Sequence, residues 1–460
     1  MADAEMHKSD ELGVETFGYK QELKRALGVP DLLVLGLSMA IPIGLCLIYG
    51  YIIGVVKGMI ALVYFIAAIG VIFTGNSYAR MSEAFPLAGG AYAFVSRGMN
   101  KVIGFLIGWA MVGMYIVLLP LLYIFCAYAL GAIFPEIPLF IWMVSFIIIN
   151  TAINYRGVEV TREVLKYILL AQLIIYGWFM VAGLIAVAKA VNGAEFTIIP
   201  LYHKANFSLE AIMVGVSIAV FNFGGPDVLT TLGEETKGGA RTLGVGVLLT
   251  FAILGVLFVL LAYTAALVWP NYATHTNADI AFYEIVGVAG GPTLKWVFSL
   301  AIVIAIFGCC VGVQTCSSRV LYAMGRDNMF PKIFSKIHPK YQSPYIGVIV
   351  IGIIALILCL VFSDKAETMT SMVNFSMLLV WSLVNITTFY YYIIRKVEKN
   401  YFRDLLCPLI GLLLVGYTFI SLKSDAKIAG LIWLGIGVIF MFYLIYVKKV
   451  DISFSSDSGV

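Results

Sequence analysis

"AVFNFGGPDVLTTLGEET", residues Ala219 to Thr236, contradicts its surroundings. An apolar run leads into it, then Gly224, Gly225 and Pro226 stand in succession with a carboxylate, Asp227, directly behind. Both residue types oppose a continuous helix, glycine through backbone freedom and proline through its missing N–H and ring clash. A second interruption lies in "SMAIPIGLCL", where Pro42 and Gly44 break the first long apolar run. What two such breaks mean depends on the solvent around the helices.

Of the 460 residues, 61% are hydrophobic and only 12% charged, too little polar surface to cover a soluble globule of that size. The chain is expected in lipid. Stretches almost free of Asp, Glu, Lys and Arg recur at about the length a helix needs to cross roughly 30 Å of hydrocarbon. There are twelve: residues 32–56, 58–79, 102–130, 138–153, 167–188, 211–232, 242–269, 296–318, 345–362, 371–394, 404–422 and 428–447. Transmembrane β-strands would instead read as alternating segments of about ten residues, so the solid apolar runs exclude a barrel. The fold class expected is an all-α integral membrane protein with 12 transmembrane helices.

With the N-terminus cytoplasmic, all but seven of the 30 Lys and Arg fall on the cytoplasmic side, the exceptions being Lys57, Lys189, Lys204, Lys295, Lys365, Lys423 and Lys427. By the positive-inside rule both termini are expected in the cytoplasm. The net charge of +4 is then a topology signal and does not suggest a nucleic-acid partner. The first 28 residues are polar and lack the features of a cleaved signal peptide, so the first span itself is read as the insertion signal. Seven cysteines lie in or beside spans without ligand spacing, and neither a disulfide nor a metal role is expected.

The two breaks fall in spans 1 and 6, five spans apart, and so point through the membrane in opposite directions. Either alone reads as a bland kink, because Pro and Gly are common in membrane helices. Two at matched positions of inverted five-helix halves point to a transporter's substrate site. Residues 29–190 and 208–396 are the expected halves, residues 402–448 carry helices 11 and 12, and residues 1–28 and 449–460 are cytoplasmic tails. Backbone groups freed in hydrocarbon survive only beside protein, water or ligand, and a substrate can fill that role.

Asp227 is the sharpest single signal, since a carboxylate near mid-membrane costs about 2.5 to 3.5 kcal/mol and ordinarily faces a cavity. It is a candidate counter-ion for a cationic substrate or a proton-coupling group; a structural acid is the bland alternative. Phe221 and Phe223 flank Asn222 just before the break, where rings can close over a substrate or face a cation. Glu234 and Glu235 follow about two turns on and are expected at a solvated helix end. The four histidines fall in loops or tails, and the chain carries no P-loop, nucleophile elbow or metal cluster. No enzyme activity and no cofactor are expected.

"EAFPLAGGAYAFVSRGMNKVIGFLIGW" (Glu83 to Trp109), "FNFGGPDVLTTLGEET" and "SSRVLYAMGRDNMFPKIFSKIHPKYQSP" (Ser317 to Pro344) together resemble the amino acid, polyamine and organocation (APC) permease superfamily across about residues 30 to 450. The pattern is similar to that of its bacterial putrescine importers. The resemblance implies a LeuT-type 5+5 inverted repeat plus two C-terminal helices, in a bacterial cytoplasmic membrane. It implies a substrate site at the unwound parts of spans 1 and 6, carried here by Ala40, Ile41, Pro42, Ile43 and Gly44, and by Phe221, Asn222, Phe223, Gly224, Gly225 and Asp227. Tyr115 of span 3 matches a pathway-lining tyrosine.

Three departures from the family pattern bear on the substrate. Where amino-acid permeases of the family place a Gly-Ser-Gly type string whose N–H groups hold a carboxylate, this chain has "AIPIG", and Pro42 has no N–H. That favours an amine lacking a carboxylate. Met114 stands where putrescine importers have an extra acid, which favours a single positive charge or a neutral amino acid. Gln172 stands where proton-coupled relatives have a lysine, so proton coupling, if present, falls to Asp227 or Glu83; otherwise a counter-substrate is exchanged. Ser317 and Ser318 read as helix-packing residues ahead of a sodium site. The expected function is secondary transport of small amines, polyamine or putrescine-like, with an amino-acid permease or exchanger as the alternative.

Overall fold

A computed structural model describes residues 14–40, 43–274, 277–363, 365–397 and 400–450. Ten of its helices are long and apolar enough to cross a membrane, and the pair Val29–Ala40 and Gly44–Val55, bent by 51°, makes an eleventh if counted as one span. The expected fourth span is the apolar helix Leu139–Tyr155, of 17 residues. Among the described residues there is no strand, only isolated backbone bridges at Leu27–Thr236 and Ala88–Leu232. The span numbers used above are kept for the helices that fall on them.

Local signals set several helix ends. Asn100 starts span 3 (Lys101–Ile133) by accepting from the Ile103 N–H at 2.9 Å, and Ser208 starts span 6 by accepting from Ala211 N–H at 3.3 Å. The turn between spans 2 and 3 contains Gly89 at φ +96° and Gly90 at φ +54°, where side chains are strained. Span 8 runs further than its charge-free core, to Arg326, and begins at a break at Gly291 and Pro292. The added turns carry Arg319 and Arg326, whose charges are neutralised inside the protein as described below.

Depth in the bundle follows from which helices lipid touches. Span 2 (Ile60–Ala84) is 67% buried over its apolar window, whereas span 5 (Val158–Ala188) is 28% and span 12 (Ser424–Tyr446) 22% buried. Span 2 is therefore central, and spans 5 and 12 face hydrocarbon with residues such as Ile174, Leu184, Ile432 and Ile439. Span 7 (Gly239–Val268) lies along span 2 through small contacts: Gly75 meets the Phe251 ring, Gly255 meets Ala68 and Gly244 meets Ala79. Without a hydrophobic drive between helices in lipid, such close backbone approach is what holds them.

Polar side chains tie the outer spans to the centre. On span 4, Asn150 donates to the Cys310 carbonyl at 3.0 Å and Asn154 to the Val311 carbonyl at 3.2 Å, while Thr315 donates back to Asn154 at 2.6 Å. Spans 3 and 12 are joined by a reciprocal pair. Trp109 Nε1 donates to the Trp433 carbonyl at 2.9 Å, Trp433 Nε1 donates to the Trp109 carbonyl at 3.0 Å, and the rings stack at 5.0 Å.

Candidate substrate site and its closed end

Span 1 is helical over Val29–Ala40 and again from Ile43, so its break falls where Pro42 required one. Ile41 and Pro42 lie outside the described residues, as does the side chain of Ile43. Span 6 is α-helical over Leu209–Ala219 and tightens into a 3-10 turn over Val220–Phe223. It then opens, with Gly224 extended at ψ 134° and Gly225 at φ +147°, a conformation natural only to glycine. Helix resumes at Pro226–Thr230, with proline at its first position, where a missing N–H does no harm. Asp227 is in that first turn; its side chain lies outside the described residues.

The two breaks meet. Asn222 of span 6 lies directly against Gly44 of span 1, so that a Cβ at residue 44 would overlap the Asn222 amide oxygen. Asn222 is oriented from behind by span 2, donating through Nδ2 to the Tyr64 hydroxyl at 2.6 Å. Tyr64 stacks on Phe258 of span 7 at 5.4 Å, and Phe258 meets the edge of Phe223 at 4.8 Å. Gly225 faces Ala40, with 3.8 Å between the Ala40 methyl and the place of a Cβ, and Gly224 faces the Met377 sulfur of span 10. Phe221 is half-buried at the same level. Ala40, Gly44, Asn222, Phe223, Gly224 and Gly225 thus gather in one place, and spans 2, 7 and 10 enclose them.

Tyr64, Phe258 and Met377 were not singled out from the sequence. Tyr64 had a signal, because a tyrosine hydroxyl in an apolar span needs a partner. Tyr115 is fully buried on span 3, which packs against spans 8 and 10, and the adjacent Met114 is buried too. Glu83 belongs elsewhere: it lies nineteen residues along span 2 from Tyr64, about 28 Å at 1.5 Å per residue. There it accepts from Arg80 at 2.7 Å and from Arg403 at 3.1 Å, beside Asp404, which takes two further bonds from Arg80. Gln172 is buried on span 5, and neither of its amide atoms has a hydrogen-bond partner among the described residues. One turn before it, Ile168 packs where the Ser38 carbonyl of span 1 approaches Gly308 of span 8. Ser317 and Ser318 bond carbonyls of their own helix, at Gln314 and Thr315.

The expectation of a solvated helix end at Glu234 and Glu235 is overturned. Both are 1% exposed. Arg319 grips Glu235 with two bonds of 2.9 Å, and Arg326 grips Glu234 at 2.9 and 3.2 Å. Two carboxylates can be buried here because two guanidiniums from span 8 neutralise them in paired geometry. Glu234 also accepts from the Ala88 N–H of the turn between spans 2 and 3 at 2.9 Å.

The N-terminal segment is bonded to the same end. Ala26 and Leu27 donate their backbone N–H groups to the Glu235 carbonyl at 2.9 and 3.0 Å, and Lys237 N–H returns a bond to the Leu27 carbonyl at 2.7 Å. Tyr19 donates to Asp327 at 2.6 Å, Tyr92 donates to the other Asp327 oxygen at 2.7 Å, and the Arg326 guanidinium lies 3.7 Å above the Tyr19 ring. Burial, and after it the Asp327 charge, pushes the Tyr19 hydroxyl up to about 12. Tyr322 donates to Glu22 at 3.0 Å. One end of spans 6 and 8 is therefore latched to the chain's N-terminal segment.

Broken spans meeting at a lined junction, inside a bundle of apolar helices, describe a membrane transporter. A sequence model of the amino acid permease family matches residues 31–453, and the chain belongs to that family. It is 28% identical over 437 residues to the low-affinity putrescine importer PlaP of Escherichia coli (strain K12), covering 91% of this chain and 93% of that protein. It is 24% identical to the branched-chain amino acid permease BcaP of Bacillus subtilis (strain 168), over 94% of both chains, and 23% identical to the methylthioribose transporter of the same organism, over 93% of this chain and 95% of that one. The protein is a multi-pass membrane transporter and not an enzyme.

Proposed function

We propose that the protein carries small organic amines, putrescine-like, across a bacterial cytoplasmic membrane by alternating access. The arrangement behind this reading is two inverted five-helix halves of LeuT type followed by helices 11 and 12, with both termini cytoplasmic. The observation that carries it is the junction of Gly44 with Asn222, where the interrupted stretches of spans 1 and 6 meet, with Asp227 following in the chain. Unwound carbonyls accept from an ammonium group, the Asn222 amide orients it, and Asp227 supplies the opposite charge. Pro42 weakens any nest of N–H donors for a carboxylate, and one relative is named for putrescine import.

A second reading, an amino acid permease or amino acid/amine exchanger, has its own support. The buried residue before Tyr115 is Met114, so span 3 brings no second carboxylate there for a dication, and another relative is a branched-chain amino acid permease. The coupling species is a proton carried by Asp227, with Glu83 the alternative carrier, or a counter-substrate.

Counterflow in liposomes tests the reading, with putrescine, agmatine, cadaverine, monoamines and neutral and basic amino acids offered under imposed proton and sodium gradients. Amines are expected to compete and their parent amino acids not to. Asp227→Asn is expected to lower uptake at least tenfold while the protein stays folded. Wild-type kinetics with unchanged pH dependence in that variant overturn the assignment.

A further inference from the structure

Away from the candidate substrate site, a concavity lies on the lipid-facing side between span 4 (Leu139–Tyr155) and span 9 (Tyr345–Phe362). It is a groove of about 550 Å³ walled by Ile148, Ala152, Ile349, Ile353 and Leu356. The two helices approach closely at Gly352, where a Cβ would stand 2.7 Å from Thr151 Oγ1. Most of these walls are exposed aliphatic side chains, and in a membrane such a surface holds acyl chains.

One end of the groove is polar and positive. Arg156, exposed at the end of span 4, lines it and forms no ion pair among the described residues. This sets it apart from Arg162 a few residues on, whose guanidinium is met by Glu163 at 2.7 Å and Asp31 at 3.5 Å. Lys340 also lacks a carboxylate partner among the described residues, and its ammonium lies 5.5 Å from the Tyr341 ring that lines the groove mouth. The mouth is rigid. His338 stacks on Tyr341 at 4.8 Å, Tyr155 meets both rings edge-on, and Ser343 donates to the Tyr155 carbonyl at 2.7 Å. Tyrosines at this level are suited to the boundary between headgroups and hydrocarbon.

We infer that this groove is a binding site for one anionic glycerophospholipid, its acyl chains against Ile148, Ile349 and Ile353 and its phosphate held by Arg156, with Lys340 beside it. Charge complementarity decides the class of lipid: a zwitterionic headgroup would bring its own cation to an end already carrying two cations without carboxylate partners among the described residues, whereas an anionic headgroup neutralises them. Basic pockets between membrane helices on the side rich in Lys and Arg hold anionic headgroups for the same reason. The inference does not depend on which substrate the central junction carries.

Native mass spectrometry of the delipidated full-length protein tests it, with dioleoyl phosphatidylglycerol, dioleoyl phosphatidylcholine and glycerol 3-phosphate as probes. Phosphatidylglycerol is expected to be retained one to one, at least tenfold more tightly than phosphatidylcholine. Arg156→Gln removes that preference, and Ala152→Phe, which fills the groove from an exposed position, lowers retention of both lipids at least tenfold. Neither variant touches buried packing, and unchanged elution on size exclusion checks this. Equal retention of the two lipids, unaltered preference in Arg156→Gln or unaltered retention in Ala152→Phe overturns the site. So does full displacement of lipid by glycerol 3-phosphate, which would leave only a headgroup-sized anion site.

Discussion

Asn222 fills the space that any side chain on Gly44 would need, so the broken halves of spans 1 and 6 fit one another only with glycine at residue 44. Gly44→Ala is expected to push the spans apart and reduce counterflow at least tenfold. Adding Asn222→Ala removes the overlapping amide, and the double variant should regain the thermal stability lost in the single one, though not amine selectivity. Unfolding midpoints in detergent and counterflow rates measure the two effects separately.

The Arg319–Glu235 pair should govern how firmly the N-terminal end stays shut. Glu235→Gln leaves a buried guanidinium without its counter-charge, at a cost of about 3 kcal/mol, toward the lower end because Arg319 keeps bonds to the Thr315 carbonyl and Ser318. Cys316, fully buried and bonded to the Val228 carbonyl, sits just inside that end. Its alkylation, followed by peptide mass mapping, is expected to accelerate in the variant.

Tyr19 offers a titration of the same latch. Its hydroxyl is held protonated up to about 12 in the folded chain, above the ordinary value of 10.0, so its stabilisation is complete below pH 10.0 and is lost as pH rises through about 12. Unfolding midpoints in detergent are the readout: they should fall across that interval in the wild type and by less in Tyr19→Phe. At neutral pH, Tyr19→Phe should be cut faster by trypsin at Lys20, Lys24 and Arg25, because the bond to Asp327 is gone.

Glu83→Gln separates the two candidate coupling residues. Its partners Arg80 and Arg403 each lose a counter-charge, and because Glu83 is partly exposed the stability loss should be only about 1 kcal/mol. The pH dependence of uptake should persist. If it disappears, coupling runs through the Arg80 and Asp404 cluster and not through Asp227.

Lipid makes some of this chain easy to read. A charge within a span is expensive, so charge-free runs mark the spans, and the structure has helices on each of them. Pro42 and Gly225 mark the breaks because their backbones disfavour continuous helix and because they stand at matched positions; a lone proline, Pro120, leaves span 3 a single helix. The partners of Glu234 and Glu235 had no such local mark: they lie 92 and 84 residues away, and a carboxylate bound for a guanidinium looks like one bound for water. The same holds for Tyr64 behind Asn222, 158 residues apart. Position in the bundle is set by packing between distant segments, which spacing along the chain does not encode.

The doubly bonded tryptophans carry a mechanical consequence. Trp109 and Trp433 lose both bonds together if span 12 slides past span 3 by a single residue, so the two helices behave as one beam. Whatever grips span 12 from outside, whether a neighbouring subunit, a fluorophore or a surface tether, will restrain the helix that bears Tyr115, and a label on span 12 should report the movement of span 3.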